Sequence, residues 1–265
     1  MSRIDRAIEM AAKIKQSEQS LPEPEIKGPV VEPAPSLPLE TLQVKNPFLV
    51  SVNEPHGIVA EEYNKLKATI LRLANSEPGK NTFMVTSAVP SEGKTLTAAN
   101  LALSMARSTD YSVVLVDADF RKPSIHALFG VEQRPGLAQC LREDLSFDQA
   151  LVQTGQGRLA ILTSGQQMDD PSELFSSMHM KRFIKAVKER NPNSYVIFDS
   201  PPVLPFADAR LLGSLVDFTI FVAREDYSKQ KQIEEGLGSI PDAHVLGVVY
   251  NDTSVSAGHN YGGYY

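Results

Sequence analysis

The sequence predicts an α/β domain on a mostly parallel central sheet with helices on both faces. A short N-terminal helix and a disordered Pro-rich linker precede it. Two observations predict the sheet. Short apolar, β-branched runs recur at TFMVTS (82–87), VVLVD (113–117), LAILT (159–163), YVIFD (195–199), FTIFV (218–222) and LGVVY (246–250). Segments of helical periodicity, such as 95–108 and 178–190, lie between them. Strands that are apolar along their whole length and alternate with helices belong to a sheet covered on both sides. A third observation sets the linker: residues 17–50 hold seven of the eighteen prolines. Proline removes donors and keeps its predecessor extended, so this stretch is predicted to be polar and semi-stiff.

The elements follow in order. Residues 1–16 read as an amphipathic helix, with Ser2 as N-cap and Ile4, Ala7, Ile8 and Ala11 on one face. After the linker, the compact domain is expected over 51–251. Ahead of its first strand, Val59, Tyr63, Leu66, Ile70 and Leu73 form a helical stripe, with Glu61, Glu62, Lys65 and Lys67 opposite. Residues 252–265, DTSVSAGHNYGGYY, are Gly- and Ser-rich with one acidic side chain, and are expected to be flexible.

Composition narrows the function classes. In 265 residues, 42% apolar, there is material for one sizeable core, and a net charge of -6 with no dense basic block argues against nucleic acid as partner. Cys140 is the only cysteine, so no intrachain disulfide can form and a reducing compartment fits. The start MSRIDRAIEM is charged where a signal peptide needs an apolar core. The most apolar run, 211–223, is interrupted by Gly213, Ser214 and Asp217, and a bilayer span needs about 20 apolar residues. A cytoplasmic protein is expected, with any membrane role running through a partner.

The strongest local signal is TSAVPSEGKTLTAANLA (86–102), where a strand enters a tight turn, then Gly93-Lys94-Thr95, then a helix. This is the phosphate-loop pattern of P-loop NTPases, with Ala88 in place of the first glycine. Gly93 lets backbone approach a phosphate. The amides over Ser91, Glu92, Gly93, Lys94, Thr95 and Leu96, with the helix N-terminus, bind the anion. Lys94 reaches the β- and γ-phosphates of ATP, and the Thr95 hydroxyl ligates Mg²⁺. Two further strands, expected to flank this loop, end in acids: VVLVDADFRKP in Asp117, Asp119 and Arg121, and YVIFDSPPV in Asp199. Ligands sit beyond the carboxyl ends of parallel strands, so these acids should converge on the site.

VVLVDADFRKPSIHALFG, VIFDSPPV and SAVPSEGKT resemble the second acidic motif, the Walker B strand and the phosphate loop of the bacterial tyrosine autokinases, or BY-kinases, of capsule and exopolysaccharide export. Ser91 stands where a glycine commonly precedes the Glu. The resemblance covers residues 55–265, and SRIDRAIEMAAKI with its Pro-rich linker is similar to the free-standing autokinases of exosortase-linked loci. It implies that Asp119 and Asp199 position Mg²⁺, that Asp117 faces the incoming hydroxyl, and that Tyr261, Tyr264 and Tyr265 are the acceptors. With reference pKa values of about 3.9 for Asp and about 10 for Tyr, removing the phenolic proton first would cost roughly 8 kcal/mol. Asp117 is therefore expected to orient the hydroxyl and accept its proton late. Arg121 would orient carboxylates or bind phosphate, and Asn251 and Arg224 are candidates for the adenine end.

The resemblance also implies partners: a ring-like homo-oligomer, a separate membrane-embedded polysaccharide co-polymerase that recruits the kinase to the inner membrane face, and a cognate phosphotyrosine phosphatase. The family's oligomer motif, a Glu followed at three-residue spacing by two arginines, reads here as Glu61, Asn64 and Lys67, which weakens the ring because Lys lacks the planar fork of Arg. Fourteen tail residues reach about 45–50 Å at full stretch, far enough for a neighbouring protomer's site. The alternative is a P-loop ATPase switch of the partitioning or septum-placement type without kinase activity. Such ATPases carry an extra lysine early in the loop, and residues 86–92 contain none.

Overall fold

A computed structural model of the protein describes residues 46–253, apart from 143, 169 and 191–193. The helix expected over 1–16, the linker through residue 45 and the acceptor tyrosines Tyr261, Tyr264 and Tyr265 lie outside the described residues.

The strands are β1 (Thr82–Ser87), β2 (Ser112–Asp117), β3 (Val152–Gln153), β4 (Leu159–Leu162), β5 (Ser194–Asp199), β6 (Phe218–Arg224) and β7 (Val245–Asn251). They form one sheet in the order β3-β4-β2-β5-β1-β6-β7. Every pairing is parallel except that of the edge strand β3 with β4. All six apolar runs become strands. β3 is the addition, and two residues are too few to carry a period. The order also corrects one expectation: β2 does not flank β1, because β5 lies between them.

The first helices are α1 (Val50–Asn53), α2 (Ile58–Ser76), α3 (Lys94–Ala106), α4 (Ile125–Leu128) and α5 (Leu137–Leu141). Then come α6 (Phe147–Ala150), α7 (Ser172–Ser176), α8 (Met178–Arg190), α9 (Asp208–Gly213) and α10 (Gln230–Gly238). Side chains alternate across a strand, and both faces here are apolar. Phe83 and Val85 of β1, Val113 and Leu115 of β2, and Phe218, Ile220 and Val222 of β6 pack with α2, α3 and α4. Met84, Val114, Val116, Val196 and Phe198 pack in a second cluster with α5, α7, α8 and α9.

Packing begins before residue 51. Leu49 is fully buried, and Asn100 of α3 holds the entering chain through bonds to Ser51 N–H at 3.0 Å and Phe48 C=O at 2.9 Å. Along α2, Tyr63, Leu66 and Ile70 turn inward as the periodicity predicts. At the N-terminal turn Ala60 is buried instead of Val59, which is half exposed.

At the amino end of the sheet one carboxylate joins three elements. Asp217, just before β6, accepts from the N–H groups of Asn81 and Thr82 at 3.0 Å each and from the Thr82 hydroxyl at 2.6 Å. Its other oxygen pairs with Lys188 of α8.

Candidate active site

β1 is buried throughout and delivers the chain into a loop over 88–93 that opens α3. Ala88 occupies the position of the motif's first glycine without strain. It is fully buried in a cluster with Val203 and Phe221, and among the described non-glycine residues only Ser91, Asp226 and Asp252 have positive φ. Gly93 is a different matter. Its φ of 91° is left-handed, and a Cβ there would lie 2.0 Å from Asn251 Nδ2. Any other residue would be strained there and would displace the Asn251 amide.

Within this loop and the first turn of α3, the N–H groups of Ser91, Glu92, Gly93, Lys94, Thr95 and Leu96 engage no acceptor among the described residues. Consecutive unpartnered amides at the N-terminus of a thirteen-residue helix form a concave donor surface for an anion.

The acids converge as expected, by register. Asp117 and Asp199 are direct cross-strand partners, and Asp199 pairs in turn with Val85 of β1. Asp119, two residues past Asp117, places Oδ2 3.1 Å from Lys94 Nζ. Asp117 Oδ2 accepts from the N–H groups of Ser124 at 2.9 Å and Ile125 at 3.0 Å, which fixes the carboxyl against the start of α4. Asp119 Oδ1 accepts from Lys122 N–H at 3.0 Å. Both oxygens of Asp199 are buried without a hydrogen-bond partner, although the Thr95 hydroxyl lies near enough to lower its pKa.

Three buried carboxyls share one ammonium, and the electrostatics show it. Burial, then the neighbouring Asp199, push Asp117 up to about 8 despite its two amide bonds. Burial raises Asp199 to about 6, with Lys94 and Thr95 opposing. Burial works against the Lys94 charge, but Asp199, Asp119 and Asp117 outweigh it and hold the pKa above the ordinary lysine value.

A divalent cation fits these groups. Unpartnered buried carboxylate oxygens on Asp199 beside a threonine hydroxyl are hard oxygen donors. Among the described residues no cluster of three His, Cys, Asp or Glu could hold a metal alone. That suits Mg²⁺, which is held through one or two carboxylates together with substrate phosphates rather than in an all-protein cage.

The remaining candidates point elsewhere. Arg121 directs Nε to the buried Asp208 of α9 at 2.7 Å and stacks over Phe206 at 4.2 Å. Ser172 donates to the same carboxylate at 2.8 Å, so Arg121 joins the acidic motif to the first residues of α9 and α7. Asn251 donates from Nδ2 to the Glu92 carbonyl at 3.1 Å. Arg224 pairs with Asp252 at 2.6 Å and reaches the Ser91 carbonyl at 3.4 Å. Both therefore touch the phosphate loop itself. Asp208 and Ser228, a partner of Glu92, escaped the sequence reading, and no local motif marks either. A groove of about 360 Å³ along α8, lined by Lys181, Ile184, Lys185, Lys188, Glu189 and Leu215, shares no residue with this cluster.

No protein-family model matches the chain. It is 34% identical over 218 residues to the tyrosine-protein kinase YwqD of Bacillus subtilis, covering 82% of this chain and 90% of that one. Some curated relatives are longer: the match spans 29% of AmsA of Erwinia amylovora and 34% of Ptk of Acinetobacter johnsonii. The crystal structure of the chimerical protein CapA2B2 matches with a TM-score of 0.71 at 27% identity, over 77% of this chain and 88% of that one. The kinase domain of the Escherichia coli tyrosine kinase Etk matches with a TM-score of 0.70 at 27% identity, over 80% and 84%.

Proposed function

The chain belongs to the bacterial tyrosine-protein kinases, and from that membership we propose that it transfers the γ-phosphoryl group of Mg-ATP to tyrosine hydroxyls. The acceptors in this reading are its own Tyr261, Tyr264 and Tyr265, reached between protomers. The modified tail then regulates polymerisation and export of an exopolysaccharide or capsule. One observation carries the reading: the Lys94 ammonium lies against the buried Asp117, Asp119 and Asp199, beside a run of unpartnered amides.

The chain's own groups divide the work. The amides from Ser91 to Leu96 and the Lys94 ammonium bind the phosphates and stabilise the charge that spreads over them in transfer. Thr95, Asp119 and Asp199 would hold Mg²⁺, which when bound neutralises phosphate charge. Asp117 orients the acceptor hydroxyl and takes its proton. Its bonds from the Ser124 and Ile125 N–H groups fix that carboxyl in place. Arg121 positions the acidic motif through Asp208.

A homo-oligomer brings a tail to a neighbouring site. Ile58 and Val59 are exposed in the first turn of α2, just ahead of Glu61, and Phe48 is exposed before α1; exposed apolar side chains of this kind suit association. Asn64 and Lys67 are occupied with Ser104 of their own α3, which supports a ring held by contacts other than a Glu–Arg–Arg motif. Among the described residues no helix is long and apolar enough to cross a membrane. A separate membrane-embedded co-polymerase would supply that anchor from the cytoplasmic side, and a phosphotyrosine phosphatase would reset the tail.

The experiment is incubation with Mg-ATP and mass-spectrometric mapping of phosphotyrosine, beside a variant with Tyr261, Tyr264 and Tyr265 changed to Phe. Phosphate on the tail, lost in the Phe variant, is expected. Mixing a Lys94→Met chain as acceptor with the Phe variant as kinase should restore it, because transfer runs between chains. ATP hydrolysis without phosphotyrosine would refute the kinase reading.

A further inference from the structure

Glu92 is at odds with its surroundings. It is fully buried in the middle of a loop shaped to receive anions. A carboxylate there repels phosphate, and burying one demands compensation. Among the described residues no cation pairs with it. Its partners are neutral donors: Val89 N–H at 2.8 Å to Oε2, and the Ser228 hydroxyl to Oε1. Ser228 is anchored in turn, for its Oγ accepts from Arg224 N–H at 2.7 Å and its own N–H donates to the Arg224 carbonyl at 3.0 Å.

We infer that Glu92 is a positioning residue: its side chain, anchored by Ser228 in the turn after β6, sets the phosphate loop so that the amides after Pro90 face the substrate. This rests on the nucleotide-binding reading above and adds a residue to it. The loop geometry makes the case. Val89 has both peptide groups taken by side chains, its N–H by Glu92 and its carbonyl by Ser87 Oγ at 2.8 Å. Pro90 has no N–H. The first available donor is therefore Ser91.

From there the carbonyls are held from the opposite side. Arg224 reaches the Ser91 carbonyl and Asn251 the Glu92 carbonyl. In a trans peptide the N–H points away from the C=O of the same unit. Fixing the Ser91 and Glu92 carbonyls toward β6 and β7 thus turns the N–H groups of Glu92 and Gly93 the other way. The Glu92 carboxylate completes the arrangement by carrying the bend between Val89 and Gly93, where Ser91 sits at a φ of 67°.

Ser228→Ala removes one hydroxyl whose acceptor is Glu92 and is the primary test, read as the Kd for Mg-ADP by calorimetry on the full chain. A bond from a hydroxyl to a carboxylate is worth enough that binding should weaken about tenfold. At saturating ATP the turnover should fall by less than the affinity does, and Ser228→Thr should restore both. Glu92→Gln should weaken Mg-ADP binding at least as much. In the nucleotide-free protein both variants should speed hydrogen exchange at residues 91–94. An unchanged Kd in Ser228→Ala, or a loss of turnover at unchanged Kd, overturns the inference. The kinase reading fails separately: wild-type protein that binds Mg-ADP but forms no phosphotyrosine sinks that reading and leaves the role of Glu92 intact.

Discussion

The two ends of the sheet hold carboxylates in opposite condition. At the amino end, Asp217 accepts from two backbone amides and a hydroxyl and meets Lys188. Burial alone would raise its pKa, yet these partners hold it below the ordinary value. At the carboxyl end, Asp117 and Asp199 stand as cross-strand neighbours with a single lysine near, and both are pushed up, to about 8 and about 6. One end is satisfied and serves the fold. The other is left wanting positive charge, and strain of that kind belongs at functional sites. The difference lies in both the donors supplied and the depth, since Asp217 is only partly buried while Asp117 and Asp199 are fully buried.

The largest expected effect separates chemistry from binding at the carboxyl end. Asp117→Asn keeps the shape and removes the proton acceptor. Its turnover should fall by about 10²–10⁴, while the Kd for Mg-ADP, dominated by the loop amides and Lys94, stays within about threefold. A parallel collapse of nucleotide affinity would place Asp117 among the phosphate-binding groups instead.

Next in size is the response of stability to pH, which should have opposite sign at the two ends. A carboxyl raised on folding, as in Asp117, contributes stability that is whole below the unfolded value of about 4 and is lost as pH rises toward its folded value of about 8. For Asp217, lowered on folding, the contribution is present above about 4 and lost as pH falls through the depressed value. In EDTA without nucleotide, wild-type protein should therefore lose stability between pH 5 and 8 by about a few kcal/mol relative to Asp117→Asn. Parallel melting curves for the two proteins across that range would remove the electrostatic contrast.

Asp217→Ala probes the satisfied end. It leaves two amides, the Thr82 hydroxyl and Lys188 without their acceptor, which should cost about 2–3 kcal/mol in denaturant unfolding. The Kd for Mg-ADP should not change. Weakened binding would show that the amino end also shapes the site.

These contrasts were only partly legible in the sequence. The phosphate loop could be read because its parts are contiguous: a strand, a turn, Gly93-Lys94-Thr95 and a helix. Asp117 and Asp199 could be read as strand ends. Strand order could not, because hydrophobic periodicity identifies strands and says nothing of neighbours, so β5 was not placed between β1 and β2. Asp217 read as an interruption of an apolar run, although it caps the entry to two strands. The Arg121–Asp208 and Glu92–Ser228 pairs span 87 and 136 residues of sequence, a separation that only the fold closes.

The smallest expected effect concerns backbone strain in the same loop. Ser91 holds a left-handed φ of 67°, a conformation that costs a non-glycine residue about 1–2 kcal/mol. Ser91→Gly relieves this but gives the unfolded chain more freedom, which takes back about 0.5–1 kcal/mol. The net gain should be about 0.5–1 kcal/mol, or about 2 °C in Tm for a domain of this size. The strain must be sustained by the Glu92 and Arg224 bonds on either side of it. In a Ser228→Ala background, where the bend is held less firmly, the same glycine should stabilise less, because the loop can already relax. Equal gains in both backgrounds would show that the strain at Ser91 is local and that the carboxyl end is not braced as one unit.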